Sequence, residues 1–199
     1  MIFRFGNYTL DVDVDRTRDF YAREDVETTS EKCTCQGCQN YDKAILKTPA
    51  AVTDFLESLG IDPRKPAEVF DVMGILGEDG KVWYNGFYHL CGVRLQGEDA
   101  WVETAKDMKH LDGDRMYAVD PDFKVSFEEQ IHLLHKEFPA PVLQMEIDAR
   151  LPVALAEGYD PVPSAVYTVS TDENGNVTVR EEDAQNWKNS RKTDSQHDK

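Results

Sequence analysis

The sequence predicts an α+β fold: a largely antiparallel sheet, two or three helices, a Cys-rich knuckle running from a loop into a helix, and a disordered C-terminal tail. Three observations predict it. Apolar and polar residues alternate in several short segments, which puts the apolar ones on one face of a strand. One segment, with Val52, Phe55, Leu56 and Leu59, has helical spacing instead. Neighbouring strand segments are joined by turn signals rich in Gly and Asn, as in hairpins.

Residues 2–14 read as a hairpin around Gly6-Asn7, with Leu10, Val12 and Val14 alternating with Asp11, Asp13 and Asp15. Arg16–Arg23 can form a short helical turn, and 24–32 read as a polar loop leading to the cysteines. A short helix is expected from Cys38 to Lys47, with Tyr41, Ala44 and Ile45 on one side. The next helix is the clearest: Thr48 suits an N-cap, Pro49 the first helical position, and Gly60 the stop. Residues 67–76 and 81–95 form a hairpin around Gly77–Gly80. In its second strand Trp83, Phe87, His89, Cys91, Val93 and Leu95 share one face, and Gly86 and Gly92 mark close backbone packing or a bulge.

Residues 99–110 read as helical and 110–123 as loop or edge strand. Over 123–138 a short strand is expected to run into a helix, because Ser126 and Glu129 match a capping box. Leu143, Met145, Ile147, Ala149 and Leu151 then form the apolar face of a core strand. Residues 165–180 read as a hairpin turning at Asn174-Gly175. The expected organisation is one acidic domain over 1–180 and a disordered polar tail over 181–199.

The chain has 199 residues and a formal net charge of −16. The tail carries five acids and four bases, so almost all of that charge belongs to the body. Such a surface repels nucleic-acid phosphates and anionic membranes and suits a basic protein partner. The first residues hold no leader-like apolar stretch, and no run is long enough to span a membrane. A cytoplasmic location is therefore expected. There thiols stay reduced, and clustered cysteines point to metal or redox chemistry.

Three of the four cysteines lie within "CTCQGC", at Cys33, Cys35 and Cys38. A C-x-x-C turn can place two thiolates on one metal, with backbone N–H groups turned toward the sulfurs. Cys35–Cys38 resembles one half of a zinc-ribbon or treble-clef site. The resemblance covers those four residues, and the second C-x-x-C of a full ribbon is missing. Tetrahedral zinc needs a fourth ligand, and Cys91 or His89, on one face of one strand, can supply it. The expected cofactor is structural zinc, with the knuckle lying against that strand. An iron–sulfur cluster on the four cysteines and a Cys35/Cys38 redox pair are the alternatives.

Other constellations are weaker. Asp11-x-Asp13-x-Asp15 lacks the Gly and Glu of an EF-hand loop. Glu128, His132 and His135 do not form H-E-x-x-H and read as a helix surface. No Walker A, G-x-G-x-x-G or G-x-S-x-G occurs. The expected function is a zinc-stabilised binding or adaptor module, with a thiol redox protein or a metal-dependent enzyme as the competing class.

Overall fold

The computed structural model describes residues 1–77, 79–105, 108–159, 166–171 and 177–182. It is α+β, as expected. Residues 1–159 form one compact unit. Its sheet is antiparallel throughout: β1 (Ile2–Phe5), β2 (Tyr8–Val12), β3 (Glu68–Leu76), β4 (Lys81–Gln96), β7 (Tyr117–Asp120), β8 (Phe123–Glu128) and β9 (Val142–Pro152), in the order β1-β2-β4-β9-β8-β7, with β3 also on β4. Among the described residues four α-helices accompany it, α1 (Val14–Tyr21), α2 (Thr29–Lys32), α3 (Gln36–Ala44) and α4 (Ala50–Ser58), with a short 3-10 helix (Ile45–Lys47) after α3.

The 16-residue β4 organises the sheet. On one side it pairs with β9 without a break from Lys81↔Pro152 to Cys91↔Val142. Its other edge is shared: β3 pairs with the first half and β2 with the second. Between them lies a gap in the ladder, and buried backbone groups there need partners. Helix α1 supplies them. The Tyr21 hydroxyl donates to the His89 carbonyl (3.0 Å) and accepts the His89 N–H (3.1 Å), and Thr17 Oγ1 accepts the Cys91 N–H (2.9 Å).

Two glycines allow the edge strands to approach. A Cβ on Gly86 would lie 2.4 Å from the Glu68 carbonyl oxygen, and one on Gly92 would lie 2.6 Å from that of Asp11. The close packing expected at these positions is present.

The core lies on one face of the sheet. Tyr84, Tyr88 and Leu90 of β4, Leu143, Met145, Ile147, Ala149 and Leu151 of β9, and Phe123, Val125 and Phe127 of β8 are buried there with Tyr41, Ile45, Val52, Leu56 and Leu59 from the helical segment. Fully burying each large aliphatic or aromatic side chain stabilises by about 1.5–3 kcal/mol. The expected β9 face is the observed one. In β4 the alternation holds, but the tyrosine face is the core. The opposite face exposes Trp83, Val93 and Leu95 and buries His89 and Cys91.

Several elements depart from expectation. The described part of residues 99–110 holds no helix but two paired strands, β5 (Trp101–Ala105) and β6 (Met108–Leu111). It is tied to the sheet by Ala100 N–H donating to Glu128 (3.0 Å) and Trp101 Nε1 donating to Glu146 (3.3 Å). No helix follows Ser126. That residue sits in β8 opposite Glu146, and its hydroxyl donates to the Glu128 carboxylate (2.9 Å), so strand pairing displaced the capping box. His132 and His135 therefore lie on an irregular segment rather than a helix face. Pro49, not Thr48, is the N-cap of α4, because the Thr48 hydroxyl donates back to the Ile45 carbonyl (2.7 Å). Helix α2 falls within the expected polar loop, started by the Thr28–Glu31 capping box.

Residues 160–199 form a second unit. In it β10 (Val166–Thr171) pairs antiparallel with β11 (Val177–Glu182), matching the expected hairpin. The Asn174-Gly175 turn and tail residues 183–199 lie outside the described residues, and β11 covers Glu181 and Glu182, where the tail was expected to start.

The close approaches at β4 give a direct expectation. Gly86→Ala and Gly92→Ala each lower stability by about 1–3 kcal/mol through overpacking against backbone. Gly113→Ala, whose Cβ meets nothing within 4 Å, is the control. Urea midpoints at unchanged m-value measure the difference.

Candidate metal centre

Cys33, Cys35 and Cys38 come together where α2 hands the chain to α3. Cys33 ends α2 in extended backbone, and Cys35 is the N-cap of α3. Cys38 sits in the first turn of that helix. Their three sulfurs all lie within 4.8 Å of one another, which makes them a possible metal-holding group. The Cys35 N–H points at Cys33 Sγ (3.5 Å) and the Cys38 N–H at Cys35 Sγ (3.4 Å). These are the backbone-to-sulfur contacts expected of a metal knuckle. Cys35 is exposed, whereas Cys33 and Cys38 are half-buried.

The loop is held from below by protein groups. Gln39 Nε2 donates to the carbonyls of Ser30 and Cys33 (3.0 Å each), and Ser30 Oγ donates to the Asp42 carboxylate (2.7 Å). Fully buried Asn40 fastens α3 to the sheet: its amide nitrogen donates to the Tyr84 hydroxyl (3.0 Å) and the Pro152 carbonyl (3.2 Å), and its oxygen accepts the Ala154 N–H (2.7 Å). The Tyr84 hydroxyl donates to the Gly37 carbonyl (3.0 Å), inside the C-x-x-C turn itself. A Cβ on Gly37 would lie 3.2 Å from the Asp71 carboxyl group, so that turn packs directly on β3.

The knuckle therefore rests on the β3–β4 part of the sheet, beside Tyr84. Counted from Tyr84 at about 3.3 Å per strand residue, His89 lies roughly 17 Å and Cys91 roughly 23 Å along β4. Among the described residues neither belongs to the sulfur cluster. Each has other surroundings. Cys91 is buried, its N–H engaged by Thr17 and its sulfur 3.9 Å from the Ala140 carbonyl oxygen, and burial pushes its thiol pKa up. His89 packs against Phe87 and Phe138, with ring centroids 5.8 and 5.6 Å away. The alternation that put both on one strand face was right. It carries no information on which part of a 16-residue strand meets the loop.

The three thiols differ in acidity. Hydrogen bonding from Cys35, first through its N–H and then through its side chain, pulls the Cys33 pKa down. Burial pushes the Cys38 pKa well up, and the neighbouring sulfurs push it further. The surroundings thus favour a first thiolate at Cys33 and oppose a second negative charge at this spacing. A bound cation removes that opposition, since metal ligation takes the thiolate form. The donor set, all sulfur, suits zinc and other thiophilic ions. Sequence reading missed Gln39, Asn40 and Tyr84, which hold the site. The Thr28-x-x-Glu31 capping box was the one readable signal for the turn that precedes it.

Two expectations follow. Zn²⁺ binding to the reduced chain releases protons, and the affinity falls as pH drops from about 8 to about 6. Calorimetry in buffers of different ionisation enthalpy measures the release, and a pH-independent affinity contradicts thiol ligation. The second concerns His89, whose pKa burial lowers to about 4. The unfolded chain takes up this proton near the ordinary value of about 6.5, before the folded one does. Stability contributed above that value is therefore lost as pH falls from about 6.5 to about 4, by on the order of 3 kcal/mol. His89→Leu flattens that part of the stability profile.

No protein-family model, no curated protein and no solved structure matches this chain.

Proposed function

We propose that this chain is a cytoplasmic, non-enzymatic binding module whose Cys33–Cys35–Cys38 knuckle holds one structural zinc ion and whose acidic surface engages a basic protein partner. The observation that carries the metal half is the gathering of three sulfurs within 4.8 Å on a loop whose N–H groups point at two of them. Zinc is preferred to an iron–sulfur cluster because Cys91, the fourth cysteine, sits elsewhere on β4. The fourth ligand then comes from outside the three thiols, as water or another side chain. The partner half rests on the 38 acidic against 22 basic residues. Among the described residues, no helix is long and apolar enough to cross a membrane.

A structural role here is local. Asn40, Tyr84 and Gln39 fix α3 and the loop through bonds that need no metal. The ion fastens the knuckle rather than the core. A thiol redox role is the second reading, favoured by the lowered Cys33 thiol beside the exposed Cys35.

Elemental analysis of untagged, reduced protein separates the two. The zinc reading expects one zinc per chain, lost on Cys33→Ser, Cys35→Ser or Cys38→Ser, with far-UV circular dichroism preserved and a modestly lower melting temperature. Reduced, folded protein that takes up no zinc and cycles through a reversible disulfide overturns it in favour of redox.

A further inference from the structure

We infer that a second site, beside the thiol cluster, binds a small organic carboxylate with an apolar body. The site is a cavity of about 270 Å³ between the end of α1, the 25–27 loop, α2, the residues leading into β3, and the 133–135 segment. That volume equals the liquid-volume share of about nine water molecules, the size of a small organic acid.

Two ammonium groups face this cavity in a chain of strongly negative charge. Lys32 Nζ is anchored by the Pro66 carbonyl (2.9 Å), and Lys65 Nζ by the carbonyls of Tyr21 (2.8 Å) and Arg23 (3.5 Å). Both lysines, with Tyr21 and Pro66, line the cavity. An ammonium has three donors, so each lysine keeps at least one free of these bonds. Neither forms an ion pair with any described residue. Two anchored cations with spare donors around one void are an arrangement that an anion can satisfy.

The acids that share the cavity do not fill this role. Asp25 is taken by Arg23, which binds both its carboxylate oxygens (2.9 and 2.8 Å). Glu68 and, less strongly, Glu27 attract Lys32, and neither closes an ion pair with it. His89 contributes to the wall as a neutral ring. The apolar part of the wall is Phe20, Val26 and Leu133. Leu133 is the unusual one: it is 67% exposed and held at φ +47°, in the left-handed region that disfavours a leucine. A strained, exposed apolar side chain at a cavity rim buries little in the free protein, and the body of a ligand covers it.

Phenylacetate is the probe, with acetate and 2-phenylethanol supplying its two halves separately. In amide NMR titrations of the full chain, phenylacetate is expected to give saturable shifts centred on Lys32, Ala67 and Leu133. Acetate and 2-phenylethanol each bind at least about tenfold more weakly. Lys32→Met weakens phenylacetate about tenfold, and Glu27→Gln, which removes the competing acid, tightens it. Glu27→Gln keeps the test decisive if Lys32→Met does not fold. The absence of saturable shifts, equal binding of either half-probe, or a Glu27→Gln variant no tighter than the parent overturns the inference. The titration is run on reduced protein with a chelator present, so the site stands or falls apart from the metal reading.

Discussion

Everything described here depends on the unbroken pairing of β4 with β9. Once their registers are locked from Lys81↔Pro152 to Cys91↔Val142, the opposite edge of β4 must be satisfied by shorter pieces. β3 and β2 each take a part, admitted by Gly86 and Gly92. The residues between them are closed by side chains of α1, which replaces a strand with two hydroxyl groups. Helix α1 is thereby fixed at the midpoint of β4. Its end, at Phe20 and Tyr21, becomes one wall of the lysine-lined cavity. One strand register thus positions a helix, and the helix shapes a pocket.

The same strand positions the thiols through its tyrosines. Tyr84 and Tyr88 are fully buried yet polar at the tip, and a buried hydroxyl needs a partner. Tyr84 finds the Gly37 carbonyl and the Asn40 amide, and Tyr88 finds Tyr41 (2.5 Å) and the Pro63 carbonyl (2.6 Å). These bonds fix the rotation and the height of α3 on the sheet. Because Cys35 caps that helix and Cys38 lies in its first turn, the sulfurs inherit the position. The site is held in place before any ion arrives, which lowers the ordering cost of binding.

What the sequence revealed follows from which signals are local. The alternation in β9 and the helical spacing of α4 are local and were read correctly, apart from the capping residue of α4. The C-x-C-x-x-C spacing is also local, and it located the three sulfurs. The failures share a cause. Ser126-x-x-Glu129 is a sound helix-start pattern, but Ser126 lies opposite Glu146 across a β8–β9 ladder that no local window shows. Which face of β4 is the core is not local either: the buried Tyr84 and Tyr88 hydroxyls are satisfied by partners as distant as Gly37 and Pro63. Cys91, the one remaining cysteine, and His89 on the same strand face were offered as fourth ligands from residue type and shared face. Contact with the knuckle depends on position along β4, which is set by where α3 docks.

The acidic character of the chain bears on the thiol site in a way that simple charge counting misstates. A net charge of −16 opposes the formation of thiolates, yet salt screens exposed charges beyond about 10 Å at 0.1 M ionic strength. Only near groups then matter. On the favourable side are the Cys35 and Cys38 N–H groups and the positive end of the nine-residue α3, at whose first turn the sulfurs sit. Lys32, next to Cys33, adds a positive charge that acts on Cys38. Opposing them are Glu68 near Cys33 and the sulfurs themselves. Local donors thus support the first thiolate, while sulfur–sulfur repulsion opposes the rest. A divalent cation among the three sulfurs offsets that repulsion where it is largest.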